Sequence, residues 1–249
     1  MKTFANKTVV ITGSSRGIGL ALVKKFANAG ANIIACSSCY SEERDAMYKR
    51  IACENNVEIF PVYFDMSDED SVKEGINQIK ELKQNIDVLI NNAGISLIKT
   101  ILFTKMEDLH KVFQVNYFST YLLTQGLVKF MKGSEGKSII NMASVAGIDG
   151  GVGVSAYGAS KASIILLTKV MAQEFAPLKI RVNAVAPGMV DTDMANKMGP
   201  AAIENMTKIS ASGRMAKPEE IADTVYFLAS NDASYINGEI IRIDGGKNF

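Results

Sequence analysis

Short apolar runs rich in β-branched residues alternate with longer amphipathic stretches along nearly the whole chain. Such runs read as strands buried on both faces, and the stretches between them read as helices. Thr8 to Thr12 is the first run. A glycine loop follows, Gly13-Ser14-Ser15-Arg16-Gly17-Ile18-Gly19, then the amphipathic helix LALVKKFANAG, closed by Gly30. Asn32 to Cys36 is the second strand and Ser41 to Glu54 the second helix. Val57 to Tyr63 is the third strand. After Asp65-Met66, the pair Ser67-x-x-Asp70 resembles a capping box and opens a helix to about Leu82. Val88 to Ile90 is the fourth strand, running into Asn91-Asn92-Ala93-Gly94. Met106 to Met131 reads as one long helix containing His110 and Asn116. Ser138 to Met142 is the fifth strand, Tyr157 to Ala176 a helix, and Arg181 to Val185 the sixth strand. Pro187-Gly188 follows, then a mixed polar, Met-rich stretch at about 189–212 that reads as a mobile lid. Pro218 starts a helix, with acids in its first turn. Glu239 to Ile243 is the seventh strand. The alternation predicts an α/β chain with a parallel sheet covered on both faces.

Strand, glycine loop and helix form a dinucleotide-binding entry. Glycines let the backbone approach a pyrophosphate, and the helix N-terminus meets it with free N–H groups. The end of the second strand is where such folds read the adenosine ribose. Here it carries Ser37 or Ser38, with no carboxylate before Glu42. Asp65 either reaches the adenine or simply starts its turn.

The chemistry concentrates between Ser144 and Lys161. Tyr157 and Lys161 stand four apart, one above the other on a helix. A phenol is a poor acid or base at neutral pH, with an ordinary pKa of about 10. A nearby ammonium favours the phenolate. Ser144, thirteen positions before the tyrosine, holds a substrate oxygen against the same phenol. Together they aim one proton at a carbonyl or alcohol oxygen. Asn116 is an indifferent mid-helix residue. It is either at the surface or it reshapes the helix and holds water near this site.

Composition narrows the classes. At 249 residues, 47% hydrophobic, the chain suits a single domain over 1–249, with no repeat or linker. A net charge of +1 gives no electrostatic case for nucleic acid or an anionic membrane. No apolar run approaches the ~20 residues of a membrane span. The start, MKTFANKTVVITG, runs straight into a strand and leaves no room for a signal peptide. Three cysteines fit a reducing cytoplasm. Cys36-Ser-Ser-Cys39 reads as a strand end rather than a redox or metal pair. No second pair exists, and the single histidine, His110, reads as a surface or packing residue.

Taken together, Thr12-Gly13-x-x-x-Gly17-x-Gly19, Asn91-Asn92-Ala93-Gly94, Asn116, Ser144, Tyr157-x-x-x-Lys161 and Pro187-Gly188 resemble the short-chain dehydrogenase/reductase family over essentially the whole chain. The resemblance implies a single Rossmann-type doubly wound domain, a seven-stranded parallel sheet and a homotetramer. Two apolar helices, VFQVNYFSTYLLTQGLVKFM and ASIILLTKVMAQEFA, agree with that assembly. It implies hydride transfer between a nicotinamide and a carbonyl or alcohol. Tyr157 would be the acid/base, Lys161 would lower its pKa and bind the ribose, Ser144 would orient substrate, and Asn116 would support a relay water. The implied cofactor contacts are Gly13, Ser15, Arg16, Gly17, Ile18, Gly19, Ser37, Ser38, Asp65, Met66, Asn92, Ala93, Gly94, Pro187, Gly188, Val190 and Thr192, besides Tyr157 and Lys161. With serines at the ribose position and Arg16 able to pair with a 2′-phosphate, the expected cofactor is NADP(H). No metal is implied.

Within the family, TGSSRGIG, PGMVDTDM, GRMAKPEEIADTVYFLAS and SYINGEIIRIDGG are most similar to the 3-oxoacyl-[acyl-carrier-protein] reductases. A 3-oxoacyl thioester on acyl-carrier-protein is then the expected substrate, with Lys129, Lys132 and Lys179 as a candidate basic patch. Ser96-Leu97-Ile98-Lys99 departs from the polar sequence those reductases carry. A sugar, polyol or sugar-nucleotide dehydrogenase is the alternative. A non-enzymatic nucleotide-binding regulator comes last, since it has no need of the Ser-Tyr-Lys set.

Overall fold

The structure is a computed structural model describing residues 2–131, 136–196, 199, 204 and 207–246. Seven parallel strands form one sheet in the order β3-β2-β1-β4-β5-β6-β7. They are β1 Thr8–Thr12, β2 Asn32–Ser37, β3 Ile59–Tyr63, β4 Val88–Asn91, β5 Lys137–Met142, β6 Ile180–Pro187 and β7 Ile240–Ile243. β1 is buried at every position. Its side chains alternate: Val9 and Ile11 enter one core, Val10 the other. On the first face, α1 (Gly17–Asn28), α2 (Glu42–Asn55) and the Pro218–Ala229 helix supply Leu22, Phe26, Tyr48, Ile221 and Val225. On the second, α3 (Glu69–Glu81), the helical segments from Met106 to Phe130, and α7 (Ser155–Glu174) supply Ile76, Leu123, Leu127 and Ile164. A parallel strand covered on both faces has no polar side to show, which is why its sequence reads as an unbroken apolar run.

Two local readings need correction. α3 is capped by Asp68, whose carboxylate accepts from the Asp70 N–H at 3.0 Å, not by Ser67. The Ser67 N–H is already taken by the Asp65 carboxylate at 2.8 Å, so Asp65 starts this turn. The long helix is also broken. α4 (Met106–Phe113) passes through a π-turn, Gln114–Phe118, into α5 (Ser119–Leu127) and a 3₁₀ turn, Val128–Phe130. Asn116 sits inside the π-turn, the kind of wide turn that recurs at functional sites.

The order of strands reverses between β1 and β4, and open α/β sheets bind ligands at the C-terminal ends of strands there. Much of the 189–212 stretch lies outside the described residues. Its near end bridges Val190 to Ala216, and its far end returns to the Gly245–Gly246 turn through Ala211 and Ser212. Among the described residues, no helix is long and apolar enough to cross a membrane.

Candidate active site

The glycine loop closes over the C-terminal end of β1. A side chain at Gly19 would collide with the Gly13 carbonyl, so α1 reaches the strand only because that position is bare. α1 has no side-chain cap and no acid in its first turn, which leaves its first N–H groups for an anion. Thr12 Oγ1 accepts from the Asn92 and Ala93 N–H groups, both at 2.9 Å. Asn92 Nδ2 donates to Thr12 O at 2.8 Å. These bonds stitch the Asn91–Gly94 turn to the loop across the switch point. Thr192 packs against Gly17, and Asp193 pairs with Arg16 at 3.4 Å, beside a cleft they line together. Gly13, Ser15, Gly17, Ile18, Asn92, Ala93, Gly94 and Thr192 thus meet at one mouth. Val190 is buried behind it, and Gly188 is held to β7 by its N–H on Ile243 O. Asp65 is exposed in its turn, while Met66 is buried with its carbonyl on Ser119 Oγ.

At the end of β2, Ser37 is buried and Ser38 exposed. Arg44, from the first turn of α2, reaches back to place Nη1 3.3 Å from Ser37 Oγ and also bonds the Cys39 carbonyl. Sequence reasoning passed over Arg44, although an arginine one turn into the helix after β2 is the signal to look for. Cys36 is buried and free, and Cys39 is exposed and free. Among the described residues no cluster is suited to a metal.

Ser144 follows β5, and Tyr157 and Lys161 lie on one face of α7. Lys161 is 4% exposed and donates to Met142 O at 2.6 Å. Its Nζ lies 6.0 Å from the Tyr157 ring centre. Asn116 fastens the group. Its Oδ1 accepts from the Ile95 N–H at 2.9 Å, and its Nδ2 donates to Ile95 O and to Ser160 Oγ. Ser160 in turn donates to Tyr157 O. Asn116 therefore reshapes its helix and ties the Gly94–Ile95 turn to α7; it is not a surface residue.

Burial sets the titration. It pushes the Tyr157 phenol above its ordinary value, against a smaller lowering by the Ser144 hydroxyl. Burial pushes Lys161 down to about 8. The expected lowering of Tyr157 by Lys161 is not what dominates. The ammonium is turned to the Met142 carbonyl, and desolvation of the phenolate is the larger effect. A phenol kept protonated is the form that donates to a carbonyl oxygen.

Two of the lysines offered as a carrier-protein patch, Lys129 and Lys179, are misplaced. Lys179 directly precedes β6, and the Phe130 carbonyl beside Lys129 bonds Ile86, just before β4. Both stand at the N-terminal end of the sheet, opposite the site; Lys132 lies outside the described residues.

A doubly wound dinucleotide fold with a serine, a tyrosine and a lysine at its switch point defines an oxidoreductase scaffold. Residues 13–248 match the family described as enoyl-(acyl carrier protein) reductase. The 3-oxoacyl-[acyl-carrier-protein] reductase FabG of Thermotoga maritima is 39% identical over 240 residues, covering 96% of this chain and 97% of the relative. The 3α-hydroxysteroid dehydrogenase of Mediterraneibacter gnavus is 37% identical, covering 96% of each. A short-chain dehydrogenase from Burkholderia cenocepacia, solved in complex with NADP, superposes with a TM-score of 0.91 at 28% identity, covering 98% of each chain. The chain belongs to the short-chain dehydrogenase/reductase family, and it is an oxidoreductase.

Proposed function

We propose that the protein is an NADP(H)-dependent carbonyl reductase acting on a 3-oxoacyl thioester, with acyl-carrier-protein as the carrier. The observation that carries the reading is the convergence of Ser144, Tyr157 and Lys161 beside the switch-point mouth. The residues present suit the cofactor. A Cβ at Gly94 would fall 3.2 Å from Asn116 Oδ1 and 3.3 Å from Lys161 Nζ, so the bare glycine keeps a cradle open beside the ammonium. Bound NADPH supplies hydride to the carbonyl carbon. The Tyr157 phenol gives its proton to the carbonyl oxygen, completing the alcohol, and regains one from solvent through the lysine side. Ser144 holds the same oxygen. Lys161 has donors beyond the one given to Met142 O, and these suit the ribose hydroxyls. Ser37 and Arg44 suit a 2′-phosphate, with Arg16 on the opposite side; a guanidinium–phosphate contact is charge-assisted and often bidentate.

The rim supports an apolar substrate. Ile98, Ile101, Leu102, Phe103 and Val152 are all exposed, and Ile98 and Val152 flank the Lys99–Val154 bridge next to Tyr157. This weighs against a sugar or polyol. It favours, as a second reading, a bulky apolar secondary alcohol of the steroid kind. Solubility in the cytoplasm and assembly as a homotetramer belong to the same reading. Purified protein should oxidise NADPH with acetoacetyl thioester faster than with sugar or sterol ketones. Turnover confined to the sterol ketones would exchange the two readings.

A further inference from the structure

Ser144 begins a single turn of helix, α6, Ala146–Asp149. The turn is rigid. Ser144 Oγ accepts from the Ala146 N–H, Ser144 O from the Gly147 N–H, and Val145 O from the Asp149 N–H. One side of it rests on α7 at close range: a Cβ on Gly147 would lie 2.7 Å from Ala162 N, and one on Gly158 would lie 2.7 Å from Ala146 O. The chain beyond it is rich in glycine. Gly150, Gly151 and Gly153 have φ of +69°, +155° and +78°, values open to glycine, and Val152 between them is 92% exposed.

The far end of the turn is held by charge. Asp149 meets Arg242 of β7 in a fork, Oδ1 to Nη1 at 2.9 Å and Oδ2 to Nη2 at 2.6 Å. Arg242 Nε bonds Asp244 Oδ2 at 2.6 Å. Asp244 also accepts from the Gly246 N–H, and its carbonyl accepts from Ser210 Oγ. Ala211 and Ser212 N–H groups bond the Gly246 and Gly245 carbonyls. One guanidinium therefore touches both the end of the Ser144 turn and the turn that anchors the return of the 189–212 stretch. The three side chains are 13–30% exposed, so the pairs are shielded but remain open to salt.

We propose that Asp149 and Arg242 are positioning residues: their forked bridge fixes the Ser144 turn beside Tyr157 and links that turn to residues 210–212, where the 189–212 stretch returns to the sheet. Neither residue touches the reacting atoms. Without the bridge, the far end of the Ser144 turn loses its tie to β7. A displacement of about 1 Å in a catalytic group costs up to 10²-fold in rate. The direction for Tyr157 is also defined. The Ser144 hydroxyl lowers the phenol pKa. A wandering Ser144 lets that pKa rise.

The inference rests on the carbonyl-reductase reading for its consequence, but not for its first measurement. Hydrogen exchange over residues 143–156, in wild type and Asp149→Asn, reads the bridge alone. The variant should exchange at least 10-fold faster there, and wild type in 1 M NaCl should move toward it. Unchanged exchange overturns the proposal whatever the substrate. The second measurement is turnover on whichever ketone the protein reduces. Asp149→Asn and Arg242→Gln should each lose roughly 10-fold in kcat, with the Kd for NADPH unchanged. The double variant should be no worse than either single one, as expected for two ends of one contact. Their kcat/KM profiles for alcohol oxidation should shift to higher pH. Arg242→Lys, a point charge with no fork, should recover only part of the loss. Asp149→Asn in a Ser144→Ala background should cost nothing more. A wild-type kcat and pH profile in both single variants refutes the positioning role.

Discussion

Burial moves the two titratable groups of the site in opposite directions, and each move has a measurable consequence. Tyr157→Phe keeps the ring and its packing but removes the proton. It should fold, bind cofactor and lose roughly 10²–10⁴-fold in kcat; most of the turnover surviving would remove Tyr157 from the chemistry. Lys161, held down to about 8, is a charge the fold disfavours. The unfolded chain binds that proton up to about pH 10.4, the folded one only up to about 8. The penalty, roughly 3 kcal/mol, is therefore full below pH 8 and fades as pH rises toward 10. Lys161→Met should gain on wild type at pH 7, and the gap in Tm should close by pH 10; a gap constant across that range refutes the shift. Arg44→Gln should lower the kcat/KM preference for NADPH over NADH roughly 10-fold while leaving NADH unaffected, and weaken adenosine 2′,5′-bisphosphate binding alike. An unchanged ratio assigns the phosphate to Arg16. The spacing of four between Tyr157 and Lys161 predicts one helix face, and both lie on α7. Arg44 was passed over because its place one turn into α2 does not by itself show the guanidinium folding back to the end of β2.

At the scale of elements, the π-turn at Gln114–Phe118 departs most from the expected fold. Apolar spacing continues through α4 and α5, so periodicity reads one helix. The widened turn is decided instead by Asn116, whose side chain joins Ile95 and Ser160 across three elements. No pattern within the helix reports partners 21 and 44 residues away. Asn116→Ala would strand the part-buried Ile95 N–H, at a cost of about 1–3 kcal/mol in urea denaturation, with kcat falling as the turn beside Lys161 relaxes. Unaltered stability would show that water replaces the amide. The strands, by contrast, were placed to within a residue or two; β1, β4 and β5 are buried at every position, which leaves little freedom in which residues form them. The start of α3 slipped by one residue for a local reason: Ser67 and Asp68 are both good caps, and the competing Asp65 turn chooses between them.

For the whole molecule, the apolar surface forecasts assembly. Phe118 and Tyr121 beside α5 and Leu166 and Val170 on α7 are 40–64% exposed. The π-turn that carries Phe118 packs on α7, so they share one side of the protein. Light scattering should give the mass of four chains, and Leu166→Glu should lower it; a monomer at micromolar concentration refutes the tetramer. The sheet class was legible from strand–helix alternation, whereas the pairing of β7 with β6 is a long-range fact that local pattern does not contain. The strand order has a further consequence, for synthesis. β1, β2 and β3 are made first and neighbour one another in the finished sheet, with the other edge of β1 taken by β4. β7 is made after the other six and forms one of the two edges of the sheet. A nascent chain halted after β6 holds Ser144, Tyr157 and Lys161 yet presents β6 as a bare ladder of N–H and C=O groups, open to any other strand. The four residues of β7 thus decide whether the β6 ladder of a newly made copy is paired or left open to aggregation.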